Sequence, residues 1–309
     1  MKKYNLTVLA ILICSLSFSQ TVVGNGESKE RMNNVYDRSQ HLTREVVPLS
    51  HLREADVMWS RKIWREIDLR QKINHPLYYP QEDVITDETL DRDNLFKALY
   101  KAAIGNGEVS IDVYDAKNDD EFITLLTPQE LEIKIEGEEV PIYYKSIDIW
   151  TQGEDSLDLN GNKIIKEYGR DKNKITQSDI VKWRIKELWF FDKQRSVMDV
   201  RIIGLCPLVQ DRNESDQLTG KFTGLCWFYF QDARKVLKNS QAFNLVGNEA
   251  ENKTFEDIFM KRMFSSTITK QGNVYNRKID QYMIGLDALL EAESIKAEIF
   301  NIEHDLWEY

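Results

Sequence analysis

From Ile180 onward the chain alternates, with apolar residues at Val181, Trp183, Ile185, then Trp189 and Phe191. A period of two is the spacing of a strand with one face on a core. Two more strand-like stretches follow, at 197–209 and from Leu225 to Phe230. Asp192-Lys193-Gln194-Arg195 reads as the turn between the first two, either a solvated turn or an interface knob. Three such strands in succession predict an antiparallel meander. The stretch from Gln210 to Gly220 is long and polar, which makes it a candidate contact loop.

Helical signals flank this meander. In residues 54–80, EADVMWSRKIWREIDLRQKINHPLYYP, the residues Trp59, Ile63 and Ile67 fall at i, i+4 and i+8. That spacing predicts a helix over about 53–74 with one apolar face. Pro76 ends it, because the residue before a proline is pushed out of the α region. Trp64, Tyr78 and Tyr79 form a second aromatic set that one core does not readily hold, and large aromatics near a surface favour protein contacts. A second helix is predicted from about Glu88 to Ile104, with Asp87 as N-cap and Gly105 as its stop. Short strands are expected around 109–114 and 121–126. Thr127-Pro128-Gln129-Glu130 then has the residues of a capping box with proline at N1. Residues 131–150 read as further strand. A polar loop or exposed hairpin follows at 151–175. Thr254 caps a helix carrying Ile258, Phe259 and Met263. A last helix covers about 279–303, with Leu286, Leu289, Leu290 and Ala297 as its apolar markers. The expected class is α+β: helices packed on a small antiparallel meander sheet, with a long C-terminal helix. Two lobes, about 50–150 and 176–309, are expected on either side of the polar loop.

The ends place the chain. Lys2 and Lys3 precede a short apolar run from Leu6 to Phe18, and Ser17-Phe18-Ser19 is a small-x-small cleavage site. Residues 1–19 therefore read as a signal peptide. Ile13 stands where a lipobox wants a small residue, so Cys14 is expected to leave with the signal rather than carry lipid. Residues 20–49 are polar and weakly patterned, as in a flexible tail. The formal net charge is −10, and removing residues 1–19 takes away two lysines and no acid. Such a chain repels phosphate backbones and anionic membrane surfaces, so neither nucleic acid nor direct membrane contact is expected. Cys206 and Cys226 sit in matching Gly-Leu-Cys triplets starting at Gly204 and Gly224. They are either a disulfide or two buried thiols on neighbouring strands, and the glycines mark bulges or close backbone approach.

No catalytic or metal constellation stands out. The four histidines form no HExxH, and neither a GxSxG elbow nor a P-loop occurs. The segment from Ser156 through Asp158, Asn160 and Gly161 to Glu167 partly matches a calcium loop, but serine replaces the first aspartate. A tight turn on Asn160-Gly161 explains the same residues. No enzyme activity, cofactor or metal is therefore expected. A periplasmic module binding a small ligand or glycan is the alternative, and a hydrolase using a carboxylate pair is a third.

The 54–80 block, together with LWFFDKQRSVMDVRIIGL (188–205), FEDIFMKRMFSSTITK (255–270) and EIFNIEHDLWEY (298–309), resembles the GldN/PorN family of periplasmic gliding-motility and type IX secretion proteins of the Bacteroidetes. The blocks are long, in order, and sample nearly all of residues 50–309. The resemblance implies a non-enzymatic structural component. It would form a homo-oligomeric ring beneath the outer membrane with the lipoprotein GldK/PorK, and would contact the periplasmic domain of the inner-membrane-anchored GldM/PorM. A closed ring needs two different self-contact patches on each subunit. The residues put forward for partner contact are Trp64, Tyr78, Tyr79, Trp307 and Tyr309.

Overall fold

The aromatic block that opens the domain is a strand. Val57–Asp68 forms β1, where the sequence predicts a helix. The spacing explains the error. Trp59, Ile63 and Ile67 are four apart, and an even separation shares a face in a strand as well as in a helix. Trp64 decides between the two. In a strand it points away from Ile63, yet both are buried, at 6% and 0% exposure. That requires a sheet covered on both sides.

The computed structural model describes residues 45–81, 93–105, 109–116, 121–137, 139–143, 165–170, 175–212, 218–242 and 253–305. After β1 come α1 (His75–Tyr78), α2 (Leu95–Ile104), β2 (Val113–Asp115), β3 (Leu125–Leu126), α3 (Pro128–Glu136), β4 (Glu139–Tyr143) and β5 (Ile165–Arg170). They are followed by β6 (Ile180–Asp192), β7 (Val197–Arg212), β8 (Leu218–Gly224), β9 (Cys226–Tyr229), α4 (Phe230–Leu237), α5 (Phe255–Met260), β10 (Thr267–Gln271) and α6 (Leu286–Asp305). Residues 1–19, read above as a signal peptide, and residues 20–44 of the stretch read as a tail lie outside the described residues.

The predicted meander is the centre of a larger sheet. Eight strands run in the order β10-β1-β6-β7-β9-β2-β3, with β8 also on β7, and β4 and β5 form a separate pair. Every pairing is antiparallel. The fold is α+β as expected, but the sheet is not small. Strands from both stretches expected as lobes share it. The polar stretch after Gln210 is partly strand, because β7 runs to Arg212 and β8 starts at Leu218. Residues 131–136 are helix rather than strand, since the capping box at Thr127 starts α3. Thr127 Oγ1 accepts from Glu130 N at 3.3 Å, and Glu130 Oε2 accepts from Thr127 N at 2.9 Å. Helix α2 starts later than the sequence suggests. Its cap is Asn94, whose Oδ1 accepts from Lys97 N at 2.8 Å, while Asp87 lies outside the described residues. Gly105 ends it in the left-handed region, at φ 83°.

Register sorts the core residues by face. Opposite Ile67 stands Trp183, and opposite Ile63 stands Glu187. On this first face Ile67, Trp183, Ile185, Leu205 and Phe228 form the main core under α2, α4 and α5. Further along the same face, Ile63 and Ile268 pack with Ala292, Ile295 and Ile299 of α6. The second face holds Trp64, Cys206, Leu208 and Trp227, with Tyr114, Phe122 and Phe222 against them. Helix α6 therefore buries a different stripe from the one the sequence reading chose. Leu286, Leu289 and Leu290 are 69%, 56% and 60% exposed. Both stripes have helical spacing, so periodicity alone does not choose between them.

The two Gly-Leu-Cys glycines are sites of close approach. A Cβ on Gly204 would collide with the Phe122 ring. One on Gly224 would stand 2.9 Å from Cys206 Sγ and 3.2 Å from Ala116 Cβ. Gly224→Ala is expected to cost about 1–3 kcal/mol by overpacking, read as a lower urea midpoint. Adding Cys206→Ala should recover part of the loss. An unchanged midpoint for the single variant would contradict the packing described.

Candidate interaction surfaces

Glu187 interrupts the apolar phase of β6, and it is the centre of a buried polar cluster between the two first-face cores. It is fully buried. Trp189 Nε1 donates to its Oε2 at 2.9 Å, and Arg262 Nη2 donates to the same oxygen at 3.3 Å. Arg262 Nη1 also lies 2.9 Å from Oε1, an ion-pair contact without hydrogen-bond geometry. The Arg262 guanidinium lies 5.4 Å from the ring centroids of both Trp189 and Phe264, within cation–π reach. Arg65 stands close by, with Nε donating to Ser266 Oγ at 2.8 Å and Nη2 to Ser266 O at 3.2 Å. Burial lowers the Arg65 pKa from its ordinary value, and the charge of Glu187 opposes that shift.

Asn74 ties the same segments together again. Its Nδ2 donates to Asp68 O at 2.8 Å and Ser265 O at 3.0 Å, and its Oδ1 accepts from Ser265 N at 2.9 Å. Three stretches far apart in sequence are thus joined by buried polar groups: β1 with its following turn, β6, and the segment after α5. Such groups are costly to bury unless satisfied, so they fix how the stretches meet.

Trp64 belongs to the second-face core and is not a surface aromatic. Lys270 Nζ lies 4.0 Å from its ring centroid and Lys186 Nζ 5.5 Å. Lys186 is also 5.3 Å from the Phe122 ring. Both lysines are buried. The aromatic set therefore splits because β1 sends Ile63 and Trp64 to opposite faces. Tyr78 is half-buried against the main core, while Tyr79 is 44% exposed. The Tyr79 ring meets His75 and Tyr78 edge-on, each at 5.3 Å between centroids. Ile73, on the same turn, is 52% exposed. Trp307 and Tyr309 lie outside the described residues.

Cys206 and Cys226 are free thiols, both fully buried, and no disulfide joins them. They pack in different cores, because β7 and β9 turn them to opposite faces of the sheet. Burial pushes the Cys206 thiol up to about 12 and raises Cys226 as well. Lys193, Gln194 and Arg195 of the turn after β6 are exposed, which suits either a solvated turn or an interface knob. Arg195 Nε donates to Asp192 Oδ2 at 2.7 Å, which holds the Asp192 carboxyl below its usual range. In the stretch weighed as a calcium loop, Ser156, Asp158, Asn160 and Gly161 lie outside the described residues, and Glu167 falls in β5. A cleft of about 400 Å³ opens beside α2, lined by Phe96, Tyr100, Ile135 and Gln177 among others.

The sequence reading missed Glu187 and Arg262. A signal existed, since Glu187 is the one acidic break in the phase Trp183, Ile185, Trp189, Phe191.

Residues 52–308 match the family described as gliding motility associated protein GldN. No curated protein matches the chain.

Proposed function

Because the chain belongs to the GldN family of gliding motility associated proteins, and so to the gliding and type IX secretion machinery, we propose that it is a structural, non-enzymatic subunit of that machinery in the periplasm. In this reading copies of the chain form a ring with the outer-membrane lipoprotein GldK/PorK. The ring is contacted by the periplasmic domain of GldM/PorM, and the chain reaches the membrane only through these partners. The observation that carries the reading is the extent of the family match, which spans the whole described sheet and α6. The amino-terminal signal-peptide pattern supports export, and the acidic composition suits protein partners over lipid or nucleic acid.

Deletion of the gene tests this. Type IX cargo should disappear from the medium and gliding should stop, both restored by the full chain. Fractionation should recover the protein with outer membranes, and in the soluble periplasm once the lipoprotein is removed. Normal secretion and gliding in the deletion strain, or a cytoplasmic location, would overturn the proposal.

A further inference from the structure

Helix α6 is apolar on two opposite sides. Its inner stripe, Ala292, Ile295 and Ile299, is buried on β1 and β10. Its outer stripe runs Leu286, Leu289/Leu290, Glu293, Ala297 and Phe300. That is the i, i+3/i+4, i+7, i+11, i+14 spacing of a helix–helix seam. Leu286, Leu289, Leu290 and Phe300 are 69%, 56%, 60% and 66% exposed, and Ile284, just before the helix, is 87% exposed. A helix of a water-soluble fold normally keeps one apolar stripe. A second stripe with seam spacing makes α6 the middle layer between the sheet and something else.

Charge says what that something is. Asp287, Glu291, Glu293, Glu298, Glu303 and Asp305 lie along the helix, and Lys296 is its one lysine or arginine. Glu298 is taken by Arg61 at 2.9 Å, and Tyr282 Oη donates to Glu291 at 3.4 Å. Glu293 is 69% exposed in its side chain, with Lys296 Nζ at 3.2 Å. It sits midway between Leu286 and Phe300 in the outer stripe. A twofold antiparallel pairing of two α6 helices would bring the two Glu293 carboxylates together at the centre of the seam, which disfavours a second copy.

We propose that the outer stripe of α6 is the docking surface for an amphipathic helix of a protein partner, with an apolar seam and basic residues at its centre and flanks. This deepens the assembly reading above, and rests on it, by assigning one contact surface and the chemistry of its partner.

The test uses the purified full chain and two fluorescently labelled model helices of about 21 residues, three heptads long. Both carry the same leucine seam. One has lysines at its centre and flanks, the other glutamates. By anisotropy the lysine helix should bind at least about tenfold tighter than the glutamate helix. Leu289→Ser with Leu290→Ser should weaken it at least about tenfold, since two leucines lose their burial on binding. Because both leucines are exposed in the free chain, the thermal melt should stay unchanged. Glu293→Lys should reverse the preference between the two helices. Equal binding of both helices, binding of neither, or no effect of the leucine variant would overturn the proposal. So would concentration-dependent self-association that the leucine variant abolishes, which would make the occupant a second copy. The deletion phenotype does not depend on these outcomes, so failure here leaves the assignment to the machinery standing.

Discussion

Glu187→Ala is expected to destabilise the protein by about 3–5 kcal/mol, the usual cost of removing one partner from a buried ion pair. The carboxylate is fully buried. Its loss leaves Arg262 facing Trp189 without its anion, and leaves Trp189 Nε1 without its acceptor. Arg65 loses the stronger of the two carboxylate charges that offset its burial, Glu293 supplying the weaker. The variant should show a much lower urea midpoint at unchanged slope, which separates lost stability from a changed unfolded state. Glu187→Gln keeps the shape and one acceptor oxygen, so it should fall between wild type and alanine. A loss below about 1 kcal/mol for alanine would place Glu187 among ordinary surface acids, contradicting the cluster described here.

Trp64→Ala is expected to cost about 3–5 kcal/mol, the range for an aromatic removed from a core. Tyr79→Ala should stay within about 1 kcal/mol, because that ring is 44% exposed. Both residues lie in one sequence block, and sequence alone treats them as equivalent surface aromatics. The structure separates them. Trp64 lies under Lys270 and packs with Cys206, Leu208 and Trp227. Any loss of assembly in Trp64→Ala is therefore expected to follow from unfolding, and any loss in Tyr79→Ala from the surface itself. Thermal melts of the two purified variants decide this. Equal small shifts would return Trp64 to the surface.

How much was legible follows from which spacings carry one meaning. The alternation at Val181–Phe191 admits only a strand, and β6 is there. Local chemistry was readable where it is short-range. The capping box at Thr127, the N-cap at Thr254 and the stop at Gly105 are decided by neighbouring residues. The stripe Trp59, Ile63, Ile67 was ambiguous because four is both even and close to one helical turn. Only the neighbours β6 and β10, supplied from elsewhere in the chain, make it a strand. The outer leucines of α6 misled for a related reason, since two apolar stripes compete and tertiary packing selects the weaker-looking one. The Glu187–Arg262 contact joins residues far apart in sequence, so no local pattern holds it. The break at Glu187 was its single trace.

The proposed role makes this chain one part of a large protein assembly. The most direct test is affinity purification of the C-terminally tagged chain from gently solubilised cell envelopes, with native mass and companion identity read together. A very large complex is expected, with a lipoprotein at near-stoichiometric amount and several copies of this chain. A monomer without companions would contradict it.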